Sequence, residues 1–332
     1  MSSQPFDHGT FDEEQVIEAG NSSYPQLHRM TDDTLVLLYR YYEGGEGDES
    51  TSSIRIRRST DGGLTWGEPT QVIMQTGMAA YIQSCAVGDR IDIVLTPHIY
   101  VEARRYRNIY HIYSPDGGVT WKATDGTSLS LPIDESAATL VYDDASDGWW
   151  SWAFDIAAQT EGDPRILFYS NLGGNNLSGQ GDSARRPILH YARLEGSEWL
   201  VSEVDEAPSF WSGAGTYPAG AVIDPSDVSR LVVCQGANGT SPDHSRHNAA
   251  NNEDSTAIAT WYTTEDDGEH WVVGEPLYET EGFNVRPQFA RNMPPGETFV
   301  VVPDVREYVS FYEWESSLVG VESVDSRPEA SE

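Results

Sequence analysis

The sequence predicts an all-β chain folded as a single β-propeller of four-stranded antiparallel blades, and three observations carry that prediction. A turn of the pattern Ser/Thr-x-Asp-x-Gly-x-Thr/His-Trp occurs three times, each time after a short alternating strand. A longer unit of apolar strands and polar turns recurs five times around it. The composition, 38% hydrophobic with 10 Trp and 17 Tyr among 332 residues, gives core enough for one large domain.

Ser59-Thr60-Asp61-Gly62-Gly63-Leu64-Thr65-Trp66 and Ser114-Pro115-Asp116-Gly117-Gly118-Val119-Thr120-Trp121 are full copies of the turn. Thr264-Glu265-Asp266-Asp267-Gly268-Glu269-His270-Trp271 is a looser third. The Asp carboxylate can accept backbone N–H bonds across the bend, the Gly supplies positive φ, and the Trp folds back over the sheet edge. Asp61, Trp66, Asp116, Trp121, Asp266 and Trp271 are therefore expected to be structural, with all three indoles buried.

The repeat units open at residues 24–29, 81–85, 150–154, 217–221 and 286–291. After a polar turn each continues into a more apolar strand, at 35–39, 91–96, 166–170, 231–235 and 298–303. A third strand, the turn motif and a fourth strand complete the unit. In the third unit the motif has decayed to Leu194-Glu195-Gly196-Ser197-Glu198-Trp199, and the fifth ends at 308–314 without one. Five such units predict five blades, with six as the alternative if 128–142 forms a blade of its own. Residues 15–19 are expected to close the ring as a strand beside the last blade. The propeller spans 1–321, and 322–332 reads as an acidic, disordered tail.

The net charge is −33, and nineteen arginines stand against one lysine, Lys122. This balance resembles proteins adapted to molar salt, where repulsion is screened within about 3 Å, so a halophile or its virus is the expected source. Nucleic acid is excluded as a partner, because so negative a field repels phosphate. Cys85 and Cys234 each end an apolar strand and read as core filler. No run is apolar enough to span a membrane, and the start, Met-Ser-Ser-Gln-Pro-Phe-Asp-His, carries no export signal.

The turns resemble the Asp boxes of sialidases and other BNR-repeat propellers. Further stretches resemble one branch, the BNR-4 group related to polysaccharide lyases of the ulvan-lyase type. These are Asp89–Ile93 with Asn108–Tyr113 and Lys122–Thr127, then Tyr191–Trp199, Tyr217–Pro225 and Arg286–Phe289. The resemblance covers most of 22–315. It implies a propeller that addresses glycans, with its site on the face opposite the boxes.

That face is built from the strand openings and from the loops joining second to third strands. The openings bring Tyr24, Tyr81, Trp150, Tyr217 and Arg286 to the rim of a central funnel, a ring suited to stacking sugars. Arg40, Arg104, Arg105, Arg107, Arg185, Arg186, Arg246 and Arg306 fall in the loops. Guanidinium forks bind carboxylate or sulfate, so an anionic glycan is the expected ligand. The competing reading pairs these arginines with Glu43, Glu102 and Asp182.

A sialidase, on that resemblance, needs an arginine in a Phe-Arg-Ile-Pro motif at the first inner strand. This chain has Ser23-Tyr24-Pro25-Gln26 there, which counts against that activity. A lyase needs a carboxylate neutraliser, a base and an acid, roles open to His98, Tyr100 and Arg104 or Arg186; His111 is a weaker candidate. His244 and His247 form the one metal-like pattern, in a polar loop that reads better as solvated. No cofactor is expected. The leading expectation is an extracellular glycan-binding propeller, a receptor-binding or decoration protein of a virion, with other virion proteins or a second copy as partners. A polysaccharide lyase on uronate-containing glycan is the alternative, a sialidase-like hydrolase the third, and a cytoplasmic location the other placement.

Overall fold

The computed structural model describes residues 16–43, 51–76, 78–99, 108–144, 150–171, 188–206, 220–236, 257–280, 283–284, 287–290, 299–310 and 313–322. Among these every regular element is a strand. The first group holds β1 (Ser22–Arg29), β2 (Leu35–Glu43), β3 (Thr51–Ser59) and β4 (Thr70–Thr76) in antiparallel succession. The second holds β5 (Met78–Val87), β6 (Arg90–Ile99) and β7 (Ile109–Ser114), followed by β8 (Trp121–Lys122), β9 (Ser128–Leu129) and β10 (Thr139–Tyr142). Here the fourth position is split, because β8 and β10 both pair with β7. Residues 128–142 thus belong to this group rather than to a blade of their own. A parallel contact of Thr51 with Met78 joins the first two groups into one sheet, and a second parallel bridge links Ile73 with Ile133.

The third group is β11 (Trp150–Ala158), β12 (Pro164–Asn171), β13 (Ile188–Glu195) and β14 (Glu198–Glu206). The fourth is β15 (Ala221–Ile223), β16 (Arg230–Gly236), β17 (Ala257–Thr263) and β18 (Val272–Thr280). In the last, β19 (Phe283–Asn284) and β20 (Gln288–Phe289) share one edge of β21 (Phe299–Ser310), and β22 (Glu313–Glu322) takes the other. Among the described residues that is three strand positions, against the expected four. Residues 16–21 are not a strand either. Glu18 holds this segment by accepting bonds from Tyr39 (2.6 Å) and Arg57 (2.8 Å) on the first group.

Second strands are apolar on both faces because each is sandwiched. On β6, Ile91, Ile93 and Leu95 pack with Leu38, Ile54 and Ile56 of the first group. Val94, from the other face, packs with Ile156, Ile166 and Phe168 of the third. Leu189 and Tyr191 meet Leu231, Val233 and Tyr262 at the next seam, and Val232 and Cys234 meet Phe289 and Val300 after that. Cys85 and Cys234 are both free and buried, and burial pushes the Cys234 thiol up.

The boxes lock these seams. Asp61 accepts bonds from the Thr65 amide (2.9 Å) and hydroxyl (2.5 Å), while Ser59 Oγ accepts from the Gly63 amide (2.8 Å). Asp116 and Asp266 repeat the pattern with Thr120 and His270. Hydrogen bonds led by the Thr65 hydroxyl hold the Asp61 carboxyl down at about 2. The boxes of the second and fourth groups lean on the preceding group's third strand. A Cβ on Gly118 would stand 2.2 Å from Ile56 Cδ1, and one on Gly268 would stand 2.6 Å from Tyr191. The decayed third motif keeps the same docking: Trp199 lies 5.0 Å edge-on from His111. Only Trp121 is fully buried. Trp66 and Trp271 are half-buried, because their indoles cap turns at the outer edge; Trp271 rests edge-on against Tyr191.

Candidate functional site

The first strands of all five groups converge on one cavity of about 240 Å³. Its floor and walls come from Tyr24, Gln26 and Arg40 of the first group, Tyr81 and Gln83 of the second and Trp152 and Phe154 of the third. Gly220 and Ala221, then Pro287 and Gln288, close the circuit. Polar side chains tie the neighbouring inner strands together beneath it. Gln26 Nε2 donates to the Ile82 carbonyl (2.9 Å), and Ser84 Oγ donates to Gln26 Oε1 (2.6 Å). His28 Nε2 lies 2.7 Å from the same Ser84 hydroxyl. Asp155 accepts from the Ile223 amide at 3.0 Å. The floor is therefore rigid, with its amide groups fixed in orientation.

The rim differs. Tyr24 sits at φ 55°, at a bulge where the β1–β2 register shifts between Ser23 and Gln26. For an aromatic residue that conformation costs about 1–2 kcal/mol. It leaves the ring 43% exposed and edge-on to Tyr81 at 5.6 Å. Arg40, from β2, is 7% exposed. Its guanidinium carbon is 4.4 Å from the Tyr24 ring centre and 4.6 Å from those of Tyr42 and Tyr81. Nε donates to Ser23 Oγ at 3.2 Å, and Nη1 is buried without a hydrogen-bond partner.

Of the residues expected to line the funnel, the structure brings together Tyr24, Tyr81 and Arg40. It adds Trp152, Gln26, Gln83 and Gln288, which sequence reasoning missed. A signal for the glutamines was present: Tyr24-x-Gln26, Tyr81-x-Gln83 and Arg286-x-Gln288 place Gln two residues after each opening, on the same face of the strand. Trp150 begins β11, with Trp152 one pleat deeper lining the cavity in the position anticipated for it. The Arg306 backbone lies in β21. Tyr217, Arg286, Arg104, Arg186, Tyr100, His244 and His247 lie outside the described residues.

His98, at the end of β6, stands 5.9 Å edge-on behind Tyr81 and is absent from the cavity lining. His111 is fully buried and held on both nitrogens, Nε2 by Asp92 (3.1 Å) and Nδ1 by Thr124 Oγ1 (2.9 Å). Burial works against the Asp92 charge, but bonds from His111 and Arg90 hold its carboxyl below the usual range. Thr124 Oγ1 also accepts from Trp199 Nε1 at 3.2 Å. His111 is thus a tie between the second and third groups rather than a base facing substrate.

Asp266, Glu269 and His270 come close enough to share a cation, but all three are exposed and His270 already pairs with Asp266 at 2.6 Å. This is a variant of the box turn.

Among solved structures, an ulvan lyase of a new polysaccharide lyase family, bound to GlcA(1-4)Rha3S, aligns with 97% of this chain and 71% of its own at 16% identity and TM-score 0.66. A protein of unknown function from Dyadobacter fermentans aligns with 91% of this chain and 79% of its own, at 13% identity and TM-score 0.53. Penicillium chrysogenum α-L-arabinanase aligns with 90% and 76% at 11% identity and TM-score 0.51. At these identities the likeness establishes the propeller fold. No curated protein matches the sequence. The sequence does match the BNR repeat-containing family over residues 1–207, well over half of its length, and the chain belongs to that family.

Proposed function

We propose that this protein recognises an anionic polysaccharide at the mouth of its axial funnel. The carrying observation is the cavity itself: aromatic rings, glutamine amides and one buried guanidinium converge there from the first, second, third and fifth strand groups, with Gly220 and Ala221 of the fourth completing the wall. Rings stack on sugar faces, amides take hydroxyls, and a guanidinium takes an oxyanion. The arabinobiose of the arabinanase structure supports a saccharide ligand, and the uronate- and sulfate-bearing GlcA(1-4)Rha3S of the ulvan lyase structure supports an acidic one. A charge of −33 would repel an acidic polymer from most of the surface, so binding is concentrated at the arginines. The same charge supports work in concentrated salt. Melting temperature should then rise from low to molar salt, and a melting curve indifferent to salt would remove that support.

Calorimetric titration with glucuronan, a sulfated galactan and neutral xylan tests the central claim. Binding of an acidic polymer but not of xylan is expected, and no binding to any of the three overturns it. The second reading, a lyase, takes its support from the ulvan lyase structure, with His98 behind Tyr81 as the base to test. Steady release of unsaturated uronate from glucuronan, followed by ultraviolet absorbance and abolished by His98→Ala, would establish it in place of simple binding.

A further inference from the structure

The buried guanidinium of Arg40 is unusual in the company it keeps. Among the described residues no carboxylate pairs with it, although the chain carries 53 acidic residues. Elsewhere in the molecule buried arginines have acids: Arg90 has Asp92, and Arg165 has Asp163 and Asp267. Burying an unpaired cation is costly, and a guanidinium cannot shed its proton to escape that cost. Three tyrosine rings offset part of it through cation–π attraction. Those rings crowd the guanidinium, and Tyr81 also takes a hydrogen bond from it. Nε is committed to Ser23, and Nη1 is unmatched.

We infer that Arg40 Nη1 is the receptor for a single oxyanion oxygen of the glycan, beside Tyr24 and Tyr81. This rests on the proposed function and narrows it: the funnel reads one charged group per bound sugar, on a ring small enough for a cavity of about 240 Å³. That volume lies below the range of about 300–1,000 Å³ usual for drug-sized ligands, and suits one monosaccharide unit. A carboxylate of a uronate and a sulfate ester share the required chemistry.

The test is a set of thermodynamic cycles. Wild type, Arg40→Met and Arg40→Lys are titrated with a glucuronate oligosaccharide and its methyl ester, and with a sulfated galacto-oligosaccharide and its desulfated form. Circular dichroism and melting curves check that the variants fold. In wild type, removing the ligand's charge should weaken binding roughly 10- to 100-fold for one of the two pairs, as expected for a desolvated charged hydrogen bond. The pair affected names the source of the oxyanion. In Arg40→Met that difference should vanish, and Arg40→Lys should restore part of it, because an ammonium keeps the charge without the planar fork. Should both variants fail to fold, the wild-type comparison still decides. Equal affinity for charged and neutralised ligands in both pairs overturns the inference while leaving glycan recognition standing. Absence of binding to every oligosaccharide overturns both.

Discussion

The two faces of this propeller treat polar groups in opposite ways. On the box face the carboxylates of Asp61, Asp116 and Asp266 are each met by backbone and side-chain donors within the same turn, and glycines take every positive φ of the turns but that of Asp267, at 57°. On the funnel face a tyrosine takes the positive φ, and a buried arginine keeps Nη1 unmatched. Trp121 Nε1 is unmatched on the box face too, but a neutral indole N–H is far less costly to bury than a cation. Satisfied groups and strain-free turns are what stability selects; strain and unmet donors persist where a ligand completes them. The contrast makes the box face a stabilising device and the funnel face a working one, and each assignment can be broken by substitution.

The largest effect should come from Gly118. Its φ is 87°, and an added Cβ would meet Ile56 Cδ1 at 2.2 Å, inside a buried seam. Backbone strain and overpacking together should cost about 2–4 kcal/mol for Gly118→Ala. Gly62, with φ 72° and nothing within 4 Å, isolates the strain, and Gly62→Ala should cost about 1 kcal/mol. Urea unfolding of the pair measures the difference. Equal losses would show that the box does not lock the seam.

Next comes His190, buried at the same level of the third group. Burial holds its pKa down at about 4, with Nε2 2.7 Å from Ser170 Oγ and the ring stacked on Phe168 at 4.9 Å. The folded state resists protonation that the unfolded chain accepts near 6.5. Stability is therefore unaffected above pH 6.5 and falls as pH drops from there to about 4, by up to about 3 kcal/mol. His190→Gln should flatten the profile in that window; an unchanged slope would place the titration elsewhere. Removing a box carboxylate is expected to cost less. Asp116→Ala strips the partner from the Thr120 amide and hydroxyl and should destabilise by about 1–3 kcal/mol, with glycan affinity unaltered in the same titrations.

Much of the box face was legible because its chemistry is local. Asp, Gly and Trp act within eight residues, so the motif contains its own explanation. The strand groups were legible for a related reason, since each second strand must be apolar on both faces to sit between neighbours, as Ile91–Leu95 does. The funnel was legible only in outline. Tyr24, Tyr81 and Arg40 follow from strand openings, but the bulges at Ser23/Gln26 and Ala153/Asp155 shift the pleat. How deep Trp152 sits is therefore not readable from alternation alone. The tie made by His111 is not readable from its own strand, because its partners Asp92 and Thr124 lie on β6 and in the turn after β8.

The smallest expected stability change is the most discriminating, and it concerns Tyr24. A tyrosine at φ 55° carries strain that glycine would not. If this residue served only to fill the funnel mouth, Tyr24→Gly would lose its contacts with Tyr81 and Arg40 and destabilise the fold. If its conformation is held for a ligand, relief of strain offsets the lost packing on a ring already 43% exposed. Stability should then change by less than about 1 kcal/mol in either direction. Affinity for the acidic oligosaccharide should nevertheless fall by about tenfold, the loss of one stacking face worth about 1–1.5 kcal/mol. Measured side by side, a melting temperature that holds while affinity drops assigns Tyr24 to recognition. A melting temperature that drops while affinity holds returns it to the structural side of the molecule, with the boxes.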